Sequence, residues 1–348
     1  MKFLLFSDLH FCEYSSILRK EGSKYSIRLE KLIETLNWIE KIAVEQCCDR
    51  VISFGDFFDK PILNSREITA LNDVNWSNIY HQFIIGNHEA SNKSLKYNST
   101  NVLKKLNFEI IDSIMVEDFD TYMILYLPYI SDIEKEHNLN DYFEKLQIDK
   151  NIKKLIFSHN DVKGIQYGAF LSEIGIAIDD IDSTCDIFLN GHLHNSVKFS
   201  KKGFNLGNVS GQNFSEDAFT YMHCAYILDT DNLSLEAIPN PYALNFYKIN
   251  IQNELDLAII NNLKENSVIS VKCVDNLLEN VKQAIFENRN ILESRINIIY
   301  EKVKNDKINE SSDITITKID YLDKFSNFCF ENFENTELLK QELSIICK

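Results

Sequence analysis

The chain has 348 residues, 45% of them hydrophobic and 25% charged, and a formal net charge of −16. That length buries a large core without any disulfide framework, and the scarcity of Gly (10) and Pro (4) argues against a Gly-rich barrel or a Pro-rich linker protein. The acidic balance weighs against a chain that holds nucleic acid unaided, because such surfaces carry a basic bias; divalent cations or a partner subunit would have to supply the phosphate contacts.

Taken in chain order, residues 2–7 predict a buried strand. The apolar run meets Ser7-Asp8 at once and has no small-residue cleavage site, so it does not read as a signal peptide. Residues 27–46 predict an amphipathic helix, with Ile27, Leu29, Leu32, Ile33, Leu36, Ile39, Ile42 and Ala43 largely on one face. Short apolar strands are expected at 50–54, 82–85, 122–127, 154–157 and 186–189, with a helical pattern at 99–106 between two of them. Alternating strands and helices imply an α/β fold, and ligands collect where the strands of such sheets end. The texture changes after about residue 245. Strand-like 267–273, helical 275–290 and strand-like 294–302 suggest a small α+β unit. A polar stretch follows, and residues 320–347 then carry Leu322, Phe325, Phe330, Phe333, Leu338 and Leu343 at helical spacing. No stretch approaches the length of a membrane span. The 8 cysteines form no C-x-x-C pair and read as reduced thiols, which places the protein in the cytoplasm.

Five motifs begin where apolar strands stop. They are Asp8-Leu9-His10, Gly55-Asp56-Phe57-Phe58-Asp59, Gly86-Asn87-His88-Glu89, Ser158-His159-Asn160 and Gly191-His192-Leu193-His194. Five of the 8 histidines fall in them. Singly, each has a plainer reading: a strand-end Asp or Gly-Asp is a common turn signal, and a lone His is more often a satisfied structural residue. Together, mixed carboxylate, amide and imidazole donors suit a pair of divalent cations roughly 3.5–4 Å apart, the arrangement that supplies a nucleophile and a charge sink for phosphoester hydrolysis.

With these residues the chain resembles the calcineurin-like metallophosphoesterase superfamily, and within it the SbcD-type DNA repair nucleases and the recombination endonuclease subunits of T4-like bacteriophages. The finer likeness rests on Gly55-Asp56-Phe57-Phe58-Asp59, on Gly207-Asn208-Val209-Ser210-Gly211 after the last His block, on Tyr226-Ile227-Leu228-Asp229 leading to Ile238-Pro239-Asn240, and on the β-α-β unit expected at 267–302 with a polar linker and a terminal helical pair after it. The resemblance implies a four-layer α/β/β/α sandwich with a small α+β capping domain and a C-terminal helical tail. It divides the chain into a nuclease domain at 1–245, a DNA-capping domain at 246–304, a linker at 305–319 and a partner-binding segment at 320–348. It implies that Asp8, His10 and His194 bind one metal, that Asn87, His159 and His192 bind the other, and that Asp56 bridges them. His88 would act catalytically rather than as a ligand, and Asp59 would orient a ligand histidine. The implied cofactors are two divalent ions, Mn²⁺ first, with Mg²⁺, Fe²⁺ or Zn²⁺ as alternatives. The implied activity is that of a DNA exo/endonuclease subunit in double-strand break repair or recombination, in which a hydroxide between the metals attacks phosphorus. The implied partners are DNA and an SMC-like coiled-coil ATPase, within a heterotetramer built on a homodimer and with no membrane. Helix 27–46 would supply the homodimer seam, and a viral source would put the protein in the host cytoplasm. The rival readings are a phosphatase or phosphodiesterase acting on small molecules or phosphoproteins, and a non-catalytic scaffold.

Overall fold

Each expected apolar run forms a strand, and the reason is burial on both faces. In the computed structural model, which describes residues 1–91, 95–106, 108–129, 139, 152–167 and 170–299, the strands fall as follows. β1 (Lys2–Phe6), β2 (Arg50–Ser53), β3 (Tyr80–Ile84) and β4 (Glu109–Ile111) run parallel side by side. β5 (Met115–Asp118) and β6 (Tyr122–Leu127) form an antiparallel pair that stops at Pro128, and β7 (Lys153–Ser158) lies parallel to β6. Four two-residue strands, β8 (Val162–Lys163), β9 (Gln166–Tyr167), β10 (Phe170–Leu171) and β11 (Ile176–Ala177), make small ribbons. β12 (Ile187–Asn190), β13 (Val197–Lys198), β14 (Gly203–Asn205), β15 (Cys224–Asp229) and β16 (Ser234–Pro239) complete two six-stranded sheets. Their orders are β16-β15-β1-β2-β3-β4 and β13-β14-β12-β7-β6-β5.

The period-2 alternation of side chains then builds the layers. Phe3, Leu5, Ile52 and Ile84 of the first sheet meet Ile124, Tyr126, Leu155, Phe157 and Leu189 of the second in one core. The opposite face of the first sheet (Leu4, Phe6, Val51, Phe83) packs under helix α1 (Ile27–Glu45) through Leu29, Leu32, Leu36 and Ile39. The outer face of the second (Met123, Leu125, Ile156, Phe188) packs with Ile181 of α3 (Ile178–Thr184), which follows the short helix α2 (Ser65–Ala70) in the chain. The expected α/β/β/α sandwich is therefore the observed one. Helix α1 starts where the Ser26 hydroxyl accepts the Leu29 N–H at 3.2 Å, a cap that contributes about 1 kcal/mol. Because its apolar stripe is used in this core, a homodimer seam on α1 would have to use its other face.

A third sheet, all parallel, has the order β17-β18-β19, with β17 (Asn245–Ile251), β18 (Ser267–Val274) and β19 (Ile291–Ile299). The crossovers carry α4 (Leu257–Asn261) and α5 (Leu278–Glu287), and Ile249, Ile251, Val271 and Val281 share its core. The expected β-α-β unit is present, preceded by one further strand and a short helix. The sheet is tied to the loop after β1: Leu18 packs with Phe246 and Val268, and Arg295 donates to the Ser16 carbonyl at 2.6 Å. Residues 1–300 form one compact unit. The segment at 99–106 is a 3₁₀ helix rather than an α-helix. The expected linker at 305–319, the terminal segment at 320–348 and the end of the capping unit lie outside the described residues. Among the described residues, no helix is long and apolar enough to cross a membrane.

Candidate metal centre

Asp8 and His10 follow β1, Asp56 follows β2, Asn87 follows β3, His159 follows β7, and His192 and His194 follow β12. All are at carboxyl ends of parallel strands, and the chain must turn sharply there. Asp8, His10, Asp56 and His192 turn with φ of 51°, 49°, 48° and 77°, a left-handed conformation that costs a residue with a Cβ about 1–2 kcal/mol. Glycine is needed at 86 and 191 because a Cβ at either would collide with the site, at Asp56 and His159 from Gly86 and at Ser7 and the Phe54 carbonyl from Gly191.

The structure brings all seven expected ligands together. Donor atoms of Asp8, His10 and His194 lie within 4.8 Å of one another, and so do those of Asp56, His159 and His192. Asp56 connects the two groups: its Oδ2 is 3.9 Å from His10 Nε2 and 3.3 Å from His159 Nε2. Asn87 Oδ1 lies 3.3 Å from His159 Nε2 and 3.0 Å from His192 Nδ1. The geometry also groups His88 with His10 and Asp56, so proximity alone does not separate His88 from the ligands. Exposure ranks them: the side chain of His88 is 41% exposed, those of His194 and His192 28% and 20%, and those of His10 and His159 1% and 0%.

The chemistry of these donors fits a cation. His10 Nδ1 faces Asp59 Oδ1 at 2.9 Å, His194 Nδ1 faces Glu216 Oε1 at 2.8 Å, and His159 Nδ1 faces the Phe54 carbonyl at 2.5 Å. Each Nδ1–H donates to its oxygen, so in the neutral ring the lone pair is left on Nε2. In neutral rings His10 Nε2 and His194 Nε2 face each other at 3.2 Å, lone pair to lone pair. His159 Nε2 faces two acceptors, Asp56 Oδ2 and Asn87 Oδ1, and needs a proton or a cation between them. Asp8 Oδ1 is buried without a hydrogen-bond partner among the described residues. Converging acceptors of this kind are stabilised by positive charge. Oxygen and imidazole donors without a thiolate suit Mn²⁺, Mg²⁺, Fe²⁺ or Zn²⁺.

Electrostatics agree. Burial pushes the His159 ring towards neutrality, but the neighbouring Asp56 carboxylate outweighs it and raises the ring to about 10. Burial likewise opposes ionisation of Asp56, and His159 and His10 more than reverse it, so the carboxyl stays well below the usual range. The field that holds a proton on His159 is the field a cation would feel. His10 is lowered, because burial exceeds the help it receives from Asp59. His194 is raised, its burial overcome by Glu216.

Several residues outside the expected ligand set support it. Glu216, fully buried, holds His194 and accepts the Gln212 N–H at 2.7 Å. Asp161 Oδ1 lies 3.4 Å from His192 Nε2. Glu89, also fully buried, accepts main-chain N–H groups of Gly86 at 2.8 Å and Phe58 at 3.0 Å. Three buried asparagines form a ladder across adjacent parallel strands. Asn190 Oδ1 accepts the Asn160 N–H at 3.2 Å, and its amide donates to the carbonyls of Asn160 and Gly191 and to Asn205 Oδ1. Asn205 donates to the Leu193 carbonyl at 2.8 Å and the Asn195 carbonyl at 3.0 Å, one on each side of His194. Asn208 closes the following turn, accepting from Ser210 N and Gly211 N at 2.7 and 2.6 Å. Glu89 ends the Gly86-Asn87-His88-Glu89 motif and Asn190 adjoins Gly191, so both could have been singled out on that ground. Glu216 and Asn205 have no local signal.

A family model described as calcineurin-like phosphoesterase matches residues 1–196. No curated protein matches the chain. Solved structures that resemble it include one from Thermus thermophilus, 12% identical with a TM-score of 0.40 and covering 68% of this chain and 98% of that one. A dimetal phosphatase from Danio rerio is 15% identical with a TM-score of 0.40, covering 69% and 98%. The calcineurin-like phosphoesterase YfkN from Bacillus subtilis is 12% identical with a TM-score of 0.37, covering 69% and 88%.

Proposed function

The chain belongs to the calcineurin-like phosphoesterase family, whose members hydrolyse phosphoesters at a dinuclear metal centre, and we propose that this one is a DNA exo/endonuclease subunit that works with an SMC-like coiled-coil ATPase. The observation that carries the hydrolytic part is the meeting of seven oxygen and nitrogen donors, with His10 Nε2 and His194 Nε2 only 3.2 Å apart. The DNA part is supported by the parallel sheet β17-β18-β19 that follows the sandwich, in the position of a capping domain at 246–304.

In this reading Asp8, His10 and His194 hold one ion, Asn87, His159 and His192 hold the other, and Asp56 serves both. Bound divalent ions, Mn²⁺ first, supply positive charge against the phosphate and lower the pKa of water. Asp59 does two jobs: its carboxylate fixes the His10 tautomer, and its carbonyl accepts from His88 Nδ1 at 3.0 Å. The His88 main-chain N–H donates to Asp56 Oδ1 at 2.9 Å, so the same loop ties the bridging carboxylate to the ring that meets substrate. Held this way, and half exposed, His88 protonates the leaving oxygen or stabilises its charge. A linker at 305–319, an ATPase-docking segment at 320–348, a homodimer within a heterotetramer and a cytoplasmic location complete the proposal.

The net charge of −16 favours the second reading, a phosphatase or phosphodiesterase acting on small molecules or phosphoproteins. Incubating the full chain with Mn²⁺ and linear or hairpin DNA, with and without the ATPase, separates the two. The nuclease reading expects DNA cleavage that chelator abolishes and Mn²⁺ restores. Turnover of a cyclic nucleotide with intact DNA would favour the second reading.

A further inference from the structure

Beside the cage the surface dips into a groove of about 770 Å³, lined in part by His192 and His194. Leu193, Ile178, Val197 and Phe199 give it apolar walls, and among the described residues its polar lining is uncharged apart from the two histidines. Lys and Arg commonly meet the phosphates of a nucleic-acid backbone, and among the described residues neither lines this groove. Apolar walls gain most from a planar, weakly hydrated group, and the volume lies within the range of small-ligand sites, about 300–1,000 Å³. The walls are pre-set. Phe199 packs edge-on to the buried Phe188 at 6.2 Å, and the Asn205 amide pins the Leu193 and Asn195 carbonyls. A group esterified to a phosphate held at His192 and His194 has this groove as its neighbour.

We infer that the groove receives the nucleobase attached to the scissile phosphodiester, so that one unstacked nucleotide is read by its planar face. The inference rests on the reading above that this site hydrolyses phosphodiesters. It predicts a substrate preference that does not depend on the leaving group.

Steady-state rates of the full chain with Mn²⁺ test it on two diesters that release the same p-nitrophenolate: methyl p-nitrophenyl phosphate and the p-nitrophenyl ester of thymidine 5′-phosphate. The thymidine ester is expected to have a kcat/KM at least ~10-fold higher, since even one methylene in an apolar pocket is worth about that much. Val197 is 39% exposed, so substitutions there are compatible with folding. Val197→Asp is expected to reduce the preference severalfold, and the milder Val197→Ser to reduce it less. Val44→Asp, on an exposed part of α1, leaves the preference unchanged. Equal kcat/KM for the two diesters would overturn the inference, as would a preference that Val197→Asp does not alter. A gain for bis(p-nitrophenyl) phosphate without one for the thymidine ester would also overturn it, because the groove would then take an aryl group and not a base. Hydrolysis of p-nitrophenyl phosphate with neither diester cleaved is a separate outcome that removes the phosphodiesterase reading itself.

Discussion

The buried carboxylate of Glu89 accepts the main-chain N–H of Asp56 at 3.1 Å. One side chain thus fixes the backbone beneath the carboxylate shared by both metal groups, and through Gly86 and Phe58 it joins the loops after β2 and β3. Burial, reinforced by the Asp56 charge, pushes the Glu89 carboxyl up to about 8.

Glu89→Ala should therefore leave three buried N–H groups without acceptors, at about 1–3 kcal/mol each. The expected outcome is a lower Tm together with fewer than two metals per chain by elemental analysis, with Glu89→Gln intermediate. Full metal content in Glu89→Ala would show that the loops hold their shape without it.

His88→Ala should keep both metals and bind DNA as tightly as the wild type, while cleavage falls by about 10²–10⁴. Metal analysis alongside single-turnover rates checks this. Loss of metal in the variant would make His88 a ligand, as its proximity to His10 and Asp56 allows.

Asn205 acts on the site only through main chain, holding the carbonyls on either side of His194. Asn205→Leu should weaken metal affinity about 10–100-fold, as loss of a group that orients a ligand does, without abolishing folding. Competition with a chelating dye measures the affinity and circular dichroism the fold. Unchanged affinity in a folded variant would count against the ladder as a positioning device.

Away from the site, Glu40 and His81 form a buried pair at 2.8 Å, and the other ring nitrogen of His81 faces the Ile79 carbonyl. Burial alone would raise the Glu40 carboxyl, but the hydrogen bond and charge of His81 outweigh it, leaving the carboxyl below its usual value. A depressed carboxylate stabilises the fold above the unfolded-state pKa, about 4.3, and that stability is lost as pH falls through the folded value. Glu40→Gln should cost about 3 kcal/mol at pH 7, and its Tm deficit should shrink below about pH 4. A deficit that is constant from pH 7 to pH 3 would assign the loss to packing instead.

The candidate ligands were readable because each sits in a short motif where an apolar strand breaks: Asp8 after Phe6, Asp56 after Phe54, His192 after Leu189. Both the strand and its end are local signals. Glu216 was not readable, because it meets His194 only after the turn at Asn208 folds back, and nothing near it in the chain announces that. Asn190 and Asn205 become partners through the parallel register that sets each opposite the other across β12 and β14, a pairing that no spacing in the sequence encodes. The strand β17 was missed for a similar reason. Its alternation in Asn245-Phe246-Tyr247-Lys248-Ile249 is irregular, and it is held by pairing with β18 and by Leu18.

Asp8, His10, Asp56 and Asn87 arrive on one sheet, and His159, His192 and His194 on the other. Each ion would thus draw ligands from both halves of the sandwich and act as a rivet through it. Emptying the site would remove that link at one end, leaving the layers to the apolar core between them.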